Sequence, residues 1–218
     1  MNFVIAQSSM QNIERLTKEV VNNENRGTWV KNIVVDKRIK GSPYLFDTWV
    51  KNGKIYYGED VYQIASFNYN IQFERFEAQF PDKAILAINP RGITKIVVDN
   101  MNFVRQLDPE YKRNTYFEHI VKFNGNTLLR KYSISIKEGK VNPMTLQMMK
   151  PDQFVIDEKI YVCNESDEME EIKLKKSTVL SFIDSKNKED VKKFVEKNKL
   201  RYKDVEDVHR ILDHYNSL

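Results

Sequence analysis

Residues 65–80, ASFNYNIQFERFEAQF, alternate apolar and polar side chains and then change phase. The apolar side chains occupy odd positions over 65–73 and even positions over 76–80. Alternation of this kind is typical of a half-buried β-strand, because successive side chains point to opposite faces of a sheet. The stretch therefore predicts one long strand, a bulge or turn near Glu74-Arg75, and a second strand that restores the buried face.

The same two-residue period continues over most of residues 28–157, so the chain is expected to be mainly β (α+β). Asn52-Gly53 and Asn124-Gly125-Asn126 each separate two strand-like runs, and Asn-Gly is a strong signal for a tight hairpin. Residues 141–153 hold two prolines and three methionines and are predicted to form an irregular connection. The resulting fold is an antiparallel meander sheet or an incomplete barrel. Its predicted strands are 28–35, 44–51, 54–58, 65–73, 76–80, 84–88, 94–99, 101–107, 116–123, 127–137, 154–164 and 169–174.

Helical periodicity appears at both ends of the chain. Met10, Ile13, Leu16 and Val20 recur at spacings of three and four and predict a short N-terminal helix. Three helical segments are predicted at the other end: 177–183, with Ser177 or Thr178 as N-cap, 188–198, and a last one capped by Asp204. The predicted organisation is a β-rich body over residues 8–174 and C-terminal helices over 175–218 that pack on this body, since their apolar stripes have no other surface to cover.

The first residues suggest a compartment. Val4-Ile5-Ala6 is apolar and ends in a small residue, and polarity begins abruptly at Gln7. An apolar segment that ends in a small residue is typical of the cleavage site of a secretory signal peptide. Residues 1–7 are therefore interpreted as a signal-peptide remnant, which predicts a periplasmic or cell-surface location. The alternative interpretation is a short edge strand.

Three segments together resemble an uncharacterised family of exported bacterial envelope proteins. They are the G-S-P-Y-L segment at 41–45, the Y-N-I strand at 69–71, and the C-terminal helical pair that ends Y-N-S-L at 215–218. Residues 46–48, Phe-Asp-Thr, depart from the Asn-Asp-Glu that members often carry there. The resemblance implies export and a β-rich body, and it implies no catalytic residues.

Composition and motifs argue against several kinds of partner and site. The net charge is only +4, with 35 basic and 31 acidic residues, so no nucleic-acid partner is predicted. Cys163 is the single cysteine, which excludes an internal disulfide and a Cys-paired zinc site. No glycine-rich phosphate-binding motif occurs, and no cofactor is predicted. No apolar run approaches the ~18 residues that a membrane-spanning helix needs, so no transmembrane segment is predicted.

The histidines do not suggest a metal site. His209 and His214 are five residues apart, which places them about 140° apart on a helix, whereas zinc-binding helices use spacings of three or four. His119 lies in an apolar row and is expected to be a core residue. The sequence therefore predicts neither metal ligands nor a catalytic set.

Aromatic side chains are dense between residues 44 and 62. Exposed rings on a sheet can stack on sugars or other rings, although in a meander they more often form core and cross-strand pairs. Trp49 and Tyr57, with Tyr44 and Phe46, are the predicted ligand-binding residues.

The function predicted from these observations is that of a non-catalytic, exported envelope protein with a binding or structural role. Its predicted partner is an envelope protein or a surface polymer. One alternative is a periplasmic carrier of an apolar, lipid-like ligand in a curved sheet, which needs a gap beside the row Phe67-Tyr69-Ile71-Phe73. A weaker alternative is a hydrolase that uses scattered carboxylates. These carboxylates are Asp47, Glu74, Glu77 and Glu118.

Overall fold

The computed structural model describes residues 26–30, 39–145 and 148–218. Over these residues the prediction of a mainly β protein is confirmed, with open sheets that are not closed into a barrel and three helices near the C-terminus. The predicted signal-peptide remnant 1–7, the predicted N-terminal helix and residues 31–35 of the first predicted strand lie outside the described residues.

The strands and helices have the following bounds. The strands are β1 Gly27–Val30, β2 Ile39–Lys40, β3 Gly53–Tyr57, β4 Asp60–Ile64, β5 Phe67–Asn70, β6 Arg75–Gln79, β7 Ile85–Ile88, β8 Lys95–Val98, β9 Met101–Leu107, β10 Asn114–Phe123, β11 Asn126–Lys137, β12 Lys140–Val141, β13 Met148–Lys150, β14 Asp152–Cys163 and β15 Met169–Ile172. The helices are α1 Lys176–Ser181, α2 Lys188–Asn198 and α3 Val205–Asn216.

The chain forms two compact units. Of the described residues, the first contains 26–30, 39–106, 114–116, 132–145 and 148–157, and the second contains 107–113, 117–131 and 158–218. Strands β10, β11 and β14 therefore contribute residues to both units. In hydrogen-bonding order, a nine-stranded sheet runs β15-β14-β11-β10-β9-β8-β3-β4, and β2 pairs with β14.

The first unit has a four-stranded antiparallel sheet in the order β1-β7-β6-β5. Its strands β4, β3, β8 and β9 also pair antiparallel, in that order. Aromatic rings dominate the core, which is expected because each buries a large apolar area. The core residues include Ile55, Ile64, Phe67, Tyr69, Ile71, Phe76, Leu86, Ile96, Phe103, Tyr116 and Tyr132.

The long strand predicted over 65–73 is wrong in its length and in its exposure. The strand ends at Asn70, residues 71–74 form a turn, and β6 begins at Arg75. All four residues of β5 are buried, including two asparagines on the face predicted to meet water. They are tolerated there because their amides are hydrogen-bonded: the Asn68 Nδ2 donates to the Phe46 carbonyl at 2.9 Å, and the Asn70 Oδ1 accepts from the Phe73 N–H at 3.2 Å.

One of the two predicted hairpin turns is confirmed. Asn124 and Gly125 join β10 to β11, and both have positive φ, 44° and 72°, as a tight Asn-Gly turn requires. The hairpin predicted at Asn52-Gly53 is wrong, because β3 starts at Gly53 and pairs with β4 across Gly58-Glu59. The strand predicted over 44–51 is reduced to isolated bridges from Tyr44 and Val50 to β5.

In the second unit, residues 117–131 of β10 and β11 carry an apolar surface that the helices cover. Asp204 caps α3 as predicted, with its side chain accepting from the Asp207 N–H at 3.1 Å. Ser177 and Thr178 lie inside α1 instead of at its cap, which is Lys175. The buried residues shared by strands and helices are Ile120, Val121, Phe123, Leu128, Val179, Ile183, Val191, Val195, Leu200, Val208, Ile211, Leu212 and Tyr215.

Candidate functional site

Three of the predicted ligand-binding residues lie on the segment beside β5. This segment is attached to β5 by backbone hydrogen bonds, for example from the Leu45 N–H to the Tyr69 carbonyl at 2.9 Å. The rings of Tyr44 and Trp49 contact each other with centroids 5.3 Å apart. Phe46 packs against the core. All three side chains are partly buried, so only part of each ring is available to a ligand.

The Tyr44 hydroxyl takes part in a buried polar network. It donates to Glu77 Oε2 at 2.6 Å, while Glu77 Oε1 accepts from Arg75 Nε at 2.7 Å and from Asn70 Nδ2 at 3.3 Å. Burial, together with the bond and the charge of Glu77, raises the pKa of Tyr44 above its usual range. The network connects the segment of Tyr44 to β5 and β6, so Tyr44 has a clear structural role in this position.

Tyr57 belongs to a different group of rings. It meets Tyr62 edge to face at 5.6 Å, and the Arg26 guanidinium lies 4.5 Å above the Tyr57 ring and 4.6 Å above the Tyr62 ring. Burial raises the pKa of Tyr57 to about 12, although the Arg26 charge lowers it. In the described part of the chain no ring contact joins Tyr57 to Trp49. The four predicted residues are therefore arranged as two groups.

The row predicted to border a ligand cavity is packed with rings. Phe67 stacks on Phe76 at 5.2 Å, and Tyr69 contacts Phe76 at 4.8 Å and Tyr116 at 6.0 Å. Phe73, the last member of the predicted row, is in the turn after β5 and is 59% exposed. Contacts of this kind fill the space beside Phe67 and Tyr69 with protein side chains.

The carboxylates predicted for a hydrolase are distributed over both units. Glu77 belongs to the first unit and Glu118 to the second. Glu118 bonds to the Arg130 Nε at 2.8 Å, whereas Asp47 is exposed. Each of the two buried carboxylates is thus paired with its own arginine.

A cleft of about 540 Å³ lies within the second unit, with Arg130 among its lining residues. The Arg130 Nη1 and Nη2 donate to Glu158 at 3.4 Å and to Glu206 at 3.0 Å, in addition to the Nε bond with buried Glu118. Lys159, also in the lining, bonds to Glu110 at 2.9 Å and Glu171 at 3.3 Å, and these bonds raise the pKa of Lys159 above its usual range. Since these charges neutralise each other, we interpret the cleft as a salt-bridged surface.

One segment of the first unit exposes apolar side chains that the sequence pattern does not predict. We call residues 136–145 and 148–150 the methionine arm; they include the end of β11 and the two-stranded sheet of β12 and β13. Its exposed fractions are high: 92% for Met144, 60% for Met148 and 66% for Met149. Ile136 and Val141 are exposed as well.

The tip of the methionine arm is ordered by one side chain. Asn142 Oδ1 accepts from the backbone N–H groups of Met144 at 2.9 Å and Thr145 at 3.3 Å. At its base, the Gly139 N–H donates to Asp152 Oδ1 at 2.8 Å. Side-chain acceptors of this kind fix a turn by replacing backbone partners. Met144 is therefore presented on a defined turn, whereas Met148 and Met149 belong to β13.

The available sequence signal for this arm was the density of methionine between Pro143 and Pro151. On its own, that density predicts only an irregular connection. Methionine is flexible and polarisable, and proteins use it on surfaces that bind varied partners. A cluster of three methionines in a predominantly polar stretch is therefore the sequence feature that indicates this arm.

No protein family, curated protein or solved structure matches this chain. None of the helices in residues 26–30, 39–145 and 148–218 has the length and apolar character needed to cross a membrane.

Proposed function

We propose that the protein is a non-catalytic binding protein of the bacterial cell envelope, exported to the periplasm or the cell surface. We further propose that the methionine arm is its binding surface. The observation that carries this proposal is the group of exposed apolar side chains on the arm, which includes Val141, Met144, Met148 and Met149.

Exposed apolar side chains that stand singly need no explanation, but contiguous ones mark interaction sites. On the arm, Val141 and Met148 are partners in the register of β12 and β13, so two exposed apolar residues lie directly across from each other. Covering such a pair removes apolar area from water and stabilises a complex. The bound state therefore gives these side chains the burial that they lack in the isolated chain.

Export is supported by the sequence. The Val4-Ile5-Ala6 stretch before Gln7 has the character of a signal end, and the resemblance to exported envelope proteins points to the same compartment. The aromatic pair Tyr44 and Trp49 is a smaller, partly buried surface and is not needed for this proposal.

The proposal is tested by site-directed photocrosslinking in bacteria that make the full chain. A photoreactive amino acid replaces Met144 in one variant and Val61, an exposed residue of β4, in the matched control. We expect the protein in the envelope or periplasmic fraction, with a crosslinked product from position 144 and none from position 61. A cytosolic protein, or equal products from both positions, would refute the proposal.

A further inference from the structure

We infer that the methionine arm binds the interfacial region of a bilayer that contains anionic lipids. This inference rests on the proposed function, because it names the envelope component that the arm contacts. Its basis is the combination of exposed apolar side chains with flanking, exposed lysines.

The apolar part of the arm is concentrated at its tip. Met144 is almost fully exposed, and Met148 and Val141 face each other on the adjoining strands. Flexible, exposed apolar side chains can enter the boundary between headgroups and acyl chains. There they gain the free energy of leaving water.

Two backbone donors at the described part of the tip are already hydrogen-bonded within the arm. Pro143 has no N–H, and the N–H groups of Met144 and Thr145 both donate to Asn142 Oδ1. An unsatisfied backbone donor costs several kcal/mol in hydrocarbon, so lipid-exposed loops must satisfy their donors internally. These two hydrogen bonds are compatible with a lipid contact, but the exposed turn at Asn164 is capped in the same way, so they do not by themselves indicate one.

The charges next to the tip are mainly positive. Lys140 and Lys150 are direct partners across β12 and β13, and like charges in that position destabilise a strand pair. Lys137 is exposed nearby, and Glu138 is the one acidic residue of the arm. Anionic headgroups relieve the repulsion between the lysines, and each basic residue near such a surface favours binding by about fivefold.

The experiment measures sedimentation of the full chain with phosphatidylcholine vesicles, with and without phosphatidylglycerol. Two variants alter the arm, one in its methionines and one in its lysines. Two controls alter an exposed apolar residue and three exposed lysines elsewhere. The arm variants are Met144→Ser with Met148→Ser and Met149→Ser, and Lys137→Gln with Lys140→Gln and Lys150→Gln. The controls are Val61→Ser, and Lys186→Gln with Lys193→Gln and Lys197→Gln on the C-terminal segment.

We expect the wild type and both controls to bind only the vesicles that contain phosphatidylglycerol. The methionine variant should lose this binding, and the lysine variant should bind about a hundredfold more weakly, from three steps of about fivefold. A Met144→Trp variant should show a shift of its emission to shorter wavelength with the same vesicles, relative to the signal of Trp29 and Trp49.

Four outcomes would overturn the inference. Equal binding to both vesicle types would show that anionic lipid is not required. An equal loss in the control with Lys186, Lys193 and Lys197 replaced would show that binding follows general charge. Binding that needs the lysines but not the methionines points to a surface polymer. A wild type that ignores vesicles yet crosslinks to an envelope protein from position 144 overturns the lipid contact alone, whereas loss of that crosslink as well refutes the proposed function too.

Discussion

The buried ion pair between Asp108 and Lys131 gives the sharpest test of the energetics of the second unit. Both side chains are almost completely inaccessible, and the Lys131 ammonium bonds to Asp108 Oδ2. Asp108 Oδ1 also accepts from the N–H groups of Glu110 at 2.8 Å and Tyr111 at 3.2 Å. The carboxylate thus performs two tasks, one as a counter-ion and one as the acceptor that closes a turn.

The substitution Asp108→Asn separates these tasks. An asparagine keeps an oxygen for the turn, but it leaves the buried Lys131 charge without a counter-ion. Removal of one partner from a buried pair costs about 3–5 kcal/mol. The Tyr111 ring, 4.6 Å from Lys131 Nζ, stays in place and stabilises the cation, so we expect a loss near the lower limit, about 3 kcal/mol.

The assay is urea unfolding followed by far-UV circular dichroism, with hydrogen exchange of residues 107–131 as a local measurement. The control is the double variant Asp108→Asn with Lys131→Met, which removes both charges and keeps the apolar stem. Since such replacements are often close to neutral, we expect the double variant to be more stable than either single one. A loss below about 1 kcal/mol in Asp108→Asn, or strictly additive losses, would refute this reasoning.

The same pair predicts a pH dependence. Burial alone would raise the pKa of Asp108, but the Lys131 ammonium and the two backbone donors outweigh it and hold this pKa below the usual range of an aspartate. The stabilisation is therefore complete above about pH 4 and is lost as the pH falls through the pKa of the folded state. The difference in unfolding free energy between the wild type and Asp108→Asn should shrink below about pH 4.

Three further predictions concern other sites. Glu77→Ala leaves the Tyr44 hydroxyl and the Asn70 amide without their acceptor, and urea unfolding should show that the free energy of unfolding falls by about 3 kcal/mol. Glu77→Gln should lose less. Equal losses in the two variants would show that the charge of Glu77 does not contribute to stability. Burial raises the pKa of the Cys163 thiol, so a thiol reagent at neutral pH should react slowly with the folded protein and quickly in urea, and a fast native reaction would contradict this. Gly125→Ala places a side chain on a residue with a φ of 72°, and thermal unfolding should show that the free energy of unfolding falls by about 1 kcal/mol. An unchanged stability would contradict this prediction.

Signals carried by neighbouring residues predicted the fold well. The alternation over 101–107 and the periodicity over 188–198 coincide with β9 and α2, and Asn124-Gly125 forms the predicted turn. In each case the deciding interaction lies within the element or across one turn. Local propensity and side-chain period are sufficient there.

The predictions that were wrong concern residues whose environment is set by partners that are distant in the sequence. Asn68 and Asn70 look like solvent-facing residues, but they are buried because Phe46 and Glu77 accept their amide protons. Arg130 meets Glu206, 76 positions away, and no spacing in the sequence indicates that contact. The exposure of the methionine arm is not predictable from its own residues for a related reason. Whether an apolar side chain is exposed depends on whether distant parts of the chain cover it.

The hydrogen bonds between Asn124 and Tyr215 have a consequence for the order of assembly. They span 91 positions, and the Asn216 amide reaches the Lys122 carbonyl across 94. During synthesis the hairpin of β10 and β11 emerges long before the helix that covers it, so Val121, Phe123 and Leu128 stay uncovered in a nascent chain. Contacts of such separation form slowly. A polypeptide that delays closure in this way remains incompletely folded for longer, which is compatible with the export proposed above.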